Sequence, residues 1–154
     1  LHHRIGMLDR KMRIVCEQAG DDWMHYALIA YQNIYGFEWQ GDNLLIAREN
    51  LLYTFIDYYE DYFGEKPLMD DVKHIAEIIS WNIWQMDGLK GVIPCSCHEE
   101  ATINKDLFGG QTETKHQCPG CEKNDIKKHN GIYCKIMDWE KNEPIRFIDL
   151  MKRQ

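Results

Sequence analysis

The chain lacks the features that mark several large classes of protein. No stretch approaches the roughly eighteen consecutive apolar residues that a membrane span needs. No long apolar run follows Leu1, His2, His3 and Arg4, so no secretory signal is visible. Positive charge is scarce: 18 Lys and Arg stand against 25 Asp and Glu, a formal net charge of -7. Nonspecific affinity for nucleic acid comes mainly from cations that neutralise phosphates, so the domain as a whole is not built as a free-standing nucleic-acid module. A phosphate-cradling P-loop and a serine hydrolase elbow are both missing. There is no internal repeat and no low-complexity linker. The first residue is not Met, which fits a processed, tagged or excised segment.

What is present suffices for a packed core. The 154 residues are 44% hydrophobic and 12% aromatic, which suits one ordered domain and argues against disorder. Four of the six cysteines sit in close pairs, C-x-C and C-P-x-C. In a reducing compartment such pairs read as metal ligands, and the expected location is the cytoplasm.

Residues 5–33 carry apolar side chains at helical spacing, with a break at Gly20-Asp21-Asp22. Ile34 to Trp39 reads as a short buried strand. Asp42 is placed to cap a long helix reaching about Phe63, which Gly64 ends. Pro67 opens the next helix, which carries Leu68, Val72, Ile75, Ala76 and Ile79. Trp81 to Met86 reads as a second strand, stopped by Asp87-Gly88. The order helix, strand, helix, helix, strand predicts an α/β region with parallel strands and helical crossovers. After Pro94 the composition turns polar. The tail has a short apolar stretch at Ile132 to Met137 and a predicted helix near Ile145 to Met151.

Glu38 and Asp87 fall at the ends of the two predicted strands. Open α/β sheets bind ligands outside the carboxyl ends of their strands. There one acid can accept hydrogen bonds from two ribose hydroxyls, and a neighbouring acid can take an adenine amino group. Trp39 could pack on an adenine face. On spacing alone, ordinary solvated acids at loop starts are the favoured reading, because acids at strand ends are common.

Ile34-Tyr35-Gly36-Phe37-Glu38, Asp42-Asn43 and Ala47-Arg48-Glu49-Asn50-Leu51 together resemble a stretch of large adenine-specific, S-adenosylmethionine-dependent DNA methyltransferases of restriction-modification type. Asn82-Ile83-Trp84-Gln85-Met86-Asp87-Gly88-Leu89 is similar to the next strand of that family. The resemblance covers about residues 5–94 and resumes near Cys134 to Met151. It implies a partial Rossmann-like methyltransferase sheet with helical crossovers, into which the cysteine-rich segment, read below as zinc-binding, is inserted. The implied division is 1–94 for the α/β region, 95–134 for the insertion and 135–154 for a returning strand and helix. Glu38 would hold the cofactor ribose, Asp87 the adenine amino group, and Trp39 would lie beside them. The family's Gly-rich loop, Asp-Pro-x-x-Gly-x-Gly, and its Asn-Pro-Pro-Tyr motif are both absent. The latter holds an adenine flipped out of the duplex. The resemblance therefore implies a fragment, split subunit or degenerate relative, inactive alone, with two central strands of the parent sheet missing.

Cys95-Ser96-Cys97-His98 and Cys118-Pro119-Gly120-Cys121 are two soft-ligand pairs separated by a loop, a pattern that suits tetrahedral zinc. The expected ligands are Cys95, Cys97, Cys118 and Cys121, with His98 able to replace one, and His116 and Cys134 in reserve. Four thiols leave no open position for a reactive water, so the expected role is structural. Lys115, Lys123, Lys127, Lys128 and Lys135 make the one local basic excess, and Asp57, Glu60, Asp61, Glu65, Asp70 and Asp71 read as a solvated surface. Cys16 is expected to be packed, and Arg48 and Asn43 to brace the turn after the first strand. The expected partner is DNA, reached through a larger protein or complex, with a protein partner or a homodimer as further possibilities and no membrane. The alternative is a zinc-containing, methyltransferase-derived binding protein that inhibits a defence nuclease or another nucleic-acid-binding partner through its acidic surface.

Overall fold

The computed structural model describes residues 6–105 and 111–151. Four helices form its main body. α1 spans Met7–Gln18, and a 3-10 turn at Gly20–Asp22 leads into α2, Trp23–Gln32. A short strand β1, Gly36–Glu38, precedes the long α3, Gly41–Phe63, which ends at a left-handed Gly64. α4 spans Met69–Asn82 and runs directly into β2, Ile83–Gln85. Among the described residues no helix is long and apolar enough to cross a membrane.

The helices form where the sequence predicts, because their apolar residues recur at helical spacing and face one core. Met12, Trp23, Ala27, Phe55, Ile75 and Ile78 are fully buried there. Phe55, Tyr59, Tyr62 and Phe63 rise along one side of α3 and surround the Trp23 ring, with centroids 5.4–6.1 Å away. Tilted and edge-on ring pairs of this kind add to the gain from area burial.

Several boundaries differ from the sequence expectation. The predicted strand 34–39 contracts to Gly36–Glu38, since Ile34 still donates its N–H to the Tyr31 carbonyl at the end of α2. Trp81 belongs to α4, so the strand predicted from 81 begins at Ile83. Asp42 lies in the first turn of α3 rather than capping it: Gln40 holds the cap position, without a side-chain bond. The predicted helix 145–151 begins as a strand.

β1 and β2 pair in parallel, with Gly36 opposite Ile83, Phe37 opposite Trp84 and Glu38 opposite Gln85. Two antiparallel ribbons complete the fold. β3, Glu100–Lys105, pairs with β4, Gln111–His116, and β5, Lys135–Asp138, pairs with β6, Glu143–Arg146. A short α5, Pro119–Lys123, lies between the ribbons, and α6, Phe147–Leu150, follows β6. The described residues thus form a mixed α/β structure with three separate two-stranded sheets.

Two polar residues join the parts. Arg48 of α3 donates to the Ile83 carbonyl at 2.6 and 2.9 Å and to Ser80 at 3.1 Å. It therefore braces the junction of α4 and β2, a carbonyl-rich helix end that favours a cation. Asn82, 1% exposed, donates to the Tyr31 and Gln32 carbonyls and accepts the Trp139 indole N–H at 2.9 Å. That one amide ties the end of α2 and the β5–β6 turn to α4.

Candidate metal centre

Three chain segments converge beyond β2. The first is the stretch after Pro94, the second is the Cys118-Pro119-Gly120-Cys121 turn that opens α5, and the third is the loop at His129. They bring Cys97, Cys118, Cys121 and His129 together, with one ligating atom from each lying within 4.8 Å of all the others. His129 Nδ1 lies 3.6 Å from Cys97 Sγ, 3.6 Å from Cys118 Sγ and 3.7 Å from Cys121 Sγ. A tetrahedral zinc with Zn–S of about 2.3 Å and Zn–N of about 2.0–2.1 Å sets sulfur and nitrogen about 3.6 Å apart. The spacing matches, and the cluster could hold a metal ion such as zinc.

The surroundings hold the ligands in place. The His129 backbone N–H donates to the Tyr133 hydroxyl, which donates to the Ile126 carbonyl. The Asn130 N–H donates to Cys118 Sγ at 3.3 Å. Asn130 also straps the base of the β3–β4 ribbon, accepting from the His98 N–H and donating to the His98 carbonyl and to Glu100. Close packing needs two glycines. A Cβ on Gly120 would meet His129 atoms at 2.5–2.7 Å, and one on Gly131 would lie 2.5 Å from Ser96 Oγ and 3.0 Å from Cys97 Sγ.

The electrostatics favour a bound cation. Burial pushes the Cys118 thiol up, but N–H groups of Asn130, Cys121 and Gly120, together with the His129 ring, outweigh it and bring the thiol down to about 6. Cys97 moves the other way, first through burial and then through the Cys118 and Cys121 sulfurs beside it. A metal ion removes this conflict by letting the thiolates share one positive charge, with release of protons. Cys121 also faces the Lys90 ammonium, which its sulfur holds above the ordinary lysine range.

Three of the four expected ligands are therefore brought together, and Cys95 is not. It stands at φ 60, exposed, in the turn after Pro94. The side chain of the next residue closes that turn: Ser96 Oγ donates to the Ile93 carbonyl and accepts the Ile132 N–H. His129 takes the fourth place. The signal in the sequence was a lone His in Lys-Lys-His-Asn-Gly, eight residues beyond Cys121, with no second ligand close in the chain. His98 contributes backbone bonds rather than a ligand atom, and His116 lies exposed in β4. Cys134 is a buried thiol pushed up to about 11 by burial, and its S–H donates to the Gln85 carbonyl.

The strand-end acids occupy the carboxyl ends of neighbouring parallel strands. Glu38 is level with Gln85, and Asp87 lies just beyond it. Glu38 Oε1 accepts the N–H groups of Trp39 and Gln40 at 2.9 and 3.1 Å. Trp39 is exposed. Asp87 is 4% exposed and turned into its own loop, where Oδ1 accepts the Leu89 and Lys90 N–H groups and Oδ2 lies 3.9 Å from Lys90 Nζ. Of the basic set, Lys128 is paired with Asp125 at 3.1 Å. No family model, no curated protein and no solved structure matches the chain.

Proposed function

We propose that the chain is a segment of an adenine-specific, S-adenosylmethionine-dependent DNA methyltransferase of restriction-modification type. It supplies the nucleoside end of the cofactor pocket together with a structural zinc centre, and it does not methylate DNA by itself. The observation that carries this reading is the parallel pairing of β1 with β2, which sets Glu38 and Asp87 at adjacent strand ends, where open α/β sheets hold ligands. The exposed groove of about 510 Å³ lined by Tyr35, Phe37, Phe147 and Leu150, next to β1, supports a segment that packs against more of a larger sheet.

Within this reading Glu38 Oε1 stays with its own turn, and Oε2 accepts the ribose hydroxyls. Trp39 offers its ring to the adenine. Asp87, buried in its loop, sets the backbone that borders the adenine edge rather than reaching the ring through an open carboxylate. Bound S-adenosylmethionine supplies the methyl group. The acidic net charge agrees with DNA being held by another part of a larger protein. A zinc held by Cys97, Cys118, Cys121 and His129 would be structural, since three sulfurs and one imidazole would leave no position for a reactive water.

Calorimetric titration of the zinc-loaded chain with S-adenosylmethionine, beside Glu38→Ala, tests the proposal. The expected result is binding that the variant weakens by about tenfold or more, as loss of a charged hydrogen-bond acceptor requires. Equal binding by the variant, or no binding by either chain, overturns the cofactor assignment.

A further inference from the structure

The groove beside β1 joins an aromatic wall to two carboxylates. Tyr35 just before β1, Phe37 within it, Trp139 of the β5–β6 turn and Phe147 at the start of α6 line its volume of about 510 Å³, together with Asp138 and Glu140. The rings are held in place. Phe37 and Phe147 lie 4.6 Å apart between centroids. The Trp139 indole N–H is fixed on Asn82 Oδ1 at 2.9 Å, and the Tyr35 hydroxyl donates to the Met137 carbonyl at 3.1 Å. Tyr35 and Phe37 still leave 43% and 36% of their surface exposed. No Lys, Arg or His stands among the described residues of the lining. Lys141 lies 3.7 Å from Asp138 Oδ2 and is itself 59% exposed. Glu140 is exposed and has no ion pair among the described residues.

The backbone adds a second, independent feature. In a parallel ladder alternate residues bond to the neighbouring strand. β1 bonds to β2 through Gly36 and Glu38, since the Met86 N–H donates to the Glu38 carbonyl. The N–H and C=O of Phe37 therefore turn away from β2, and neither has a partner among the described residues. A free strand edge is a template for another extended chain. A chain paired there sends alternate side chains to the face on which Phe37 lines the groove. Aromatic faces attract cations, guanidinium above all, and carboxylates pair with its planar fork. We propose that the groove docks an extended segment of a different protein chain, which pairs with the β1 edge and lays an arginine between the aromatic wall and the carboxylates of Asp138 and Glu140. The inference deepens the proposed function, from which it takes only that this face is covered; the cofactor plays no part in it.

The test uses the full zinc-loaded chain without S-adenosylmethionine, so its failure is separable from failure of the cofactor reading. The probe is the peptide acetyl-Thr-Ile-Arg-Val-Thr-amide, followed by amide and indole NMR signals, beside the same peptide with neutral citrulline in place of arginine. Saturable binding is expected, with shifts at the Phe37 amide and the Trp139 indole N–H. Citrulline should weaken it by about tenfold or more, as loss of a charge-assisted hydrogen bond requires. Glu140→Gln should weaken it by about threefold, and Phe147→Leu by about threefold to tenfold. Glu65→Gln, which removes the same charge outside the groove, should leave it unchanged. No saturation at millimolar peptide, equal binding of the citrulline peptide, or equal losses in Glu140→Gln and Glu65→Gln overturns the proposal. Binding of N-acetylarginine amide as tight as that of the peptide would make this a small-cation site and overturn the docked strand. Self-association of the chain that competes with the peptide would make a second copy the occupant and overturn the partner. Should Phe147→Leu fail to fold, the citrulline peptide and Glu140→Gln decide alone.

Discussion

Gly120→Ala should disable the metal centre without altering any ligand. The new methyl would lie 2.5 Å from His129 N and 2.7 Å from its Cγ and Nδ1, whereas ordinary contact begins at 3.4 Å. The ring must therefore retreat by roughly 0.7 Å, while a metal bond tolerates only about 0.2 Å. Structural zinc sites bind with about 10–16 kcal/mol, so one ligand in four accounts for about 2.5–4 kcal/mol, or about 10²–10³-fold in affinity. Competition titration at fixed pH reads this loss directly. The cobalt-loaded form adds a spectrum that reports how many sulfurs and nitrogens remain bound. Gly88→Ala is the control, since no atom lies within 4 Å of its added Cβ. Zinc affinity in Gly120→Ala within about threefold of the parent, with an unchanged cobalt spectrum, would refute the ligand set that contains His129.

Cys95→Ser should leave metal affinity and the cobalt spectrum unchanged, whereas Cys97→Ser should weaken binding by about 10²-fold or more. A chelator titration that ranks them the other way would restore Cys95 to the site. Arg48→Ala removes charge-assisted bonds to the Ile83 and Ser80 carbonyls and should lower stability to urea by about 2–3 kcal/mol. Tyr31→Phe removes the 2.8 Å bond to the Leu51 carbonyl and should lower stability by about 1 kcal/mol at neutral pH. Burial holds the Tyr31 phenol well above its ordinary range. The unfolded chain therefore loses that proton first as pH rises. The stability due to the neutral phenol is complete below about pH 10 and declines above it by about 1.4 kcal/mol per pH unit. Denaturant melts from pH 9 to 11 should show a smaller alkaline decline in Tyr31→Phe, by about 1.4 kcal/mol over the whole interval; equal declines would count against it.

The helices were legible because their information is local and repeated. Met12, Trp23, Phe55 and Ile75 lie on periodic stripes, and one misjudged residue does not change the stripe. The two strands of the parallel pair were legible as elements but not in extent, whereas the β3–β4 ribbon was not legible, because its residues are polar and exposed rather than alternating. Trp81 is apolar and aromatic, yet it continues α4, because the burial of Ile75, Ile78, Ile79 and Asn82 on that helix carries the helical conformation through it against local β preference. Three members of the candidate metal cluster could be read from the paired spacing of the cysteines. His129 could not, since its approach depends on an absent side chain at Gly120, nine residues earlier in the chain and adjacent only in space. Cys95 misled for a related reason. C-x-C spacing allows two ligands, but the left-handed turn at Cys95 and the bonds of Ser96 send the first thiol outward. Asp87 was found at its strand end, but sequence gives no hint that its carboxylate would turn inward to Leu89 and Lys90.

The β3–β4 ribbon leaves the metal centre at Cys97 and returns to it at Cys118, and between those points its side chains are exposed wherever the structure describes them. Its two ends are held by Cys97, Cys118 and Asn130, and the described side chains between them form no part of the core. Doubling the length of such a closed segment adds only about 0.6 kcal/mol of closure entropy. The Cys97–Cys118–Cys121–His129 cluster is thus built as a socket into which hairpins of different length and sequence could be fitted, provided that both strands change together. Relatives that share this socket need not share what is plugged into it. They would be recognised by Cys118-Pro119-Gly120-Cys121 and the His129-Asn130-Gly131 turn, while the ribbon between the cysteine pairs diverges freely in length and composition.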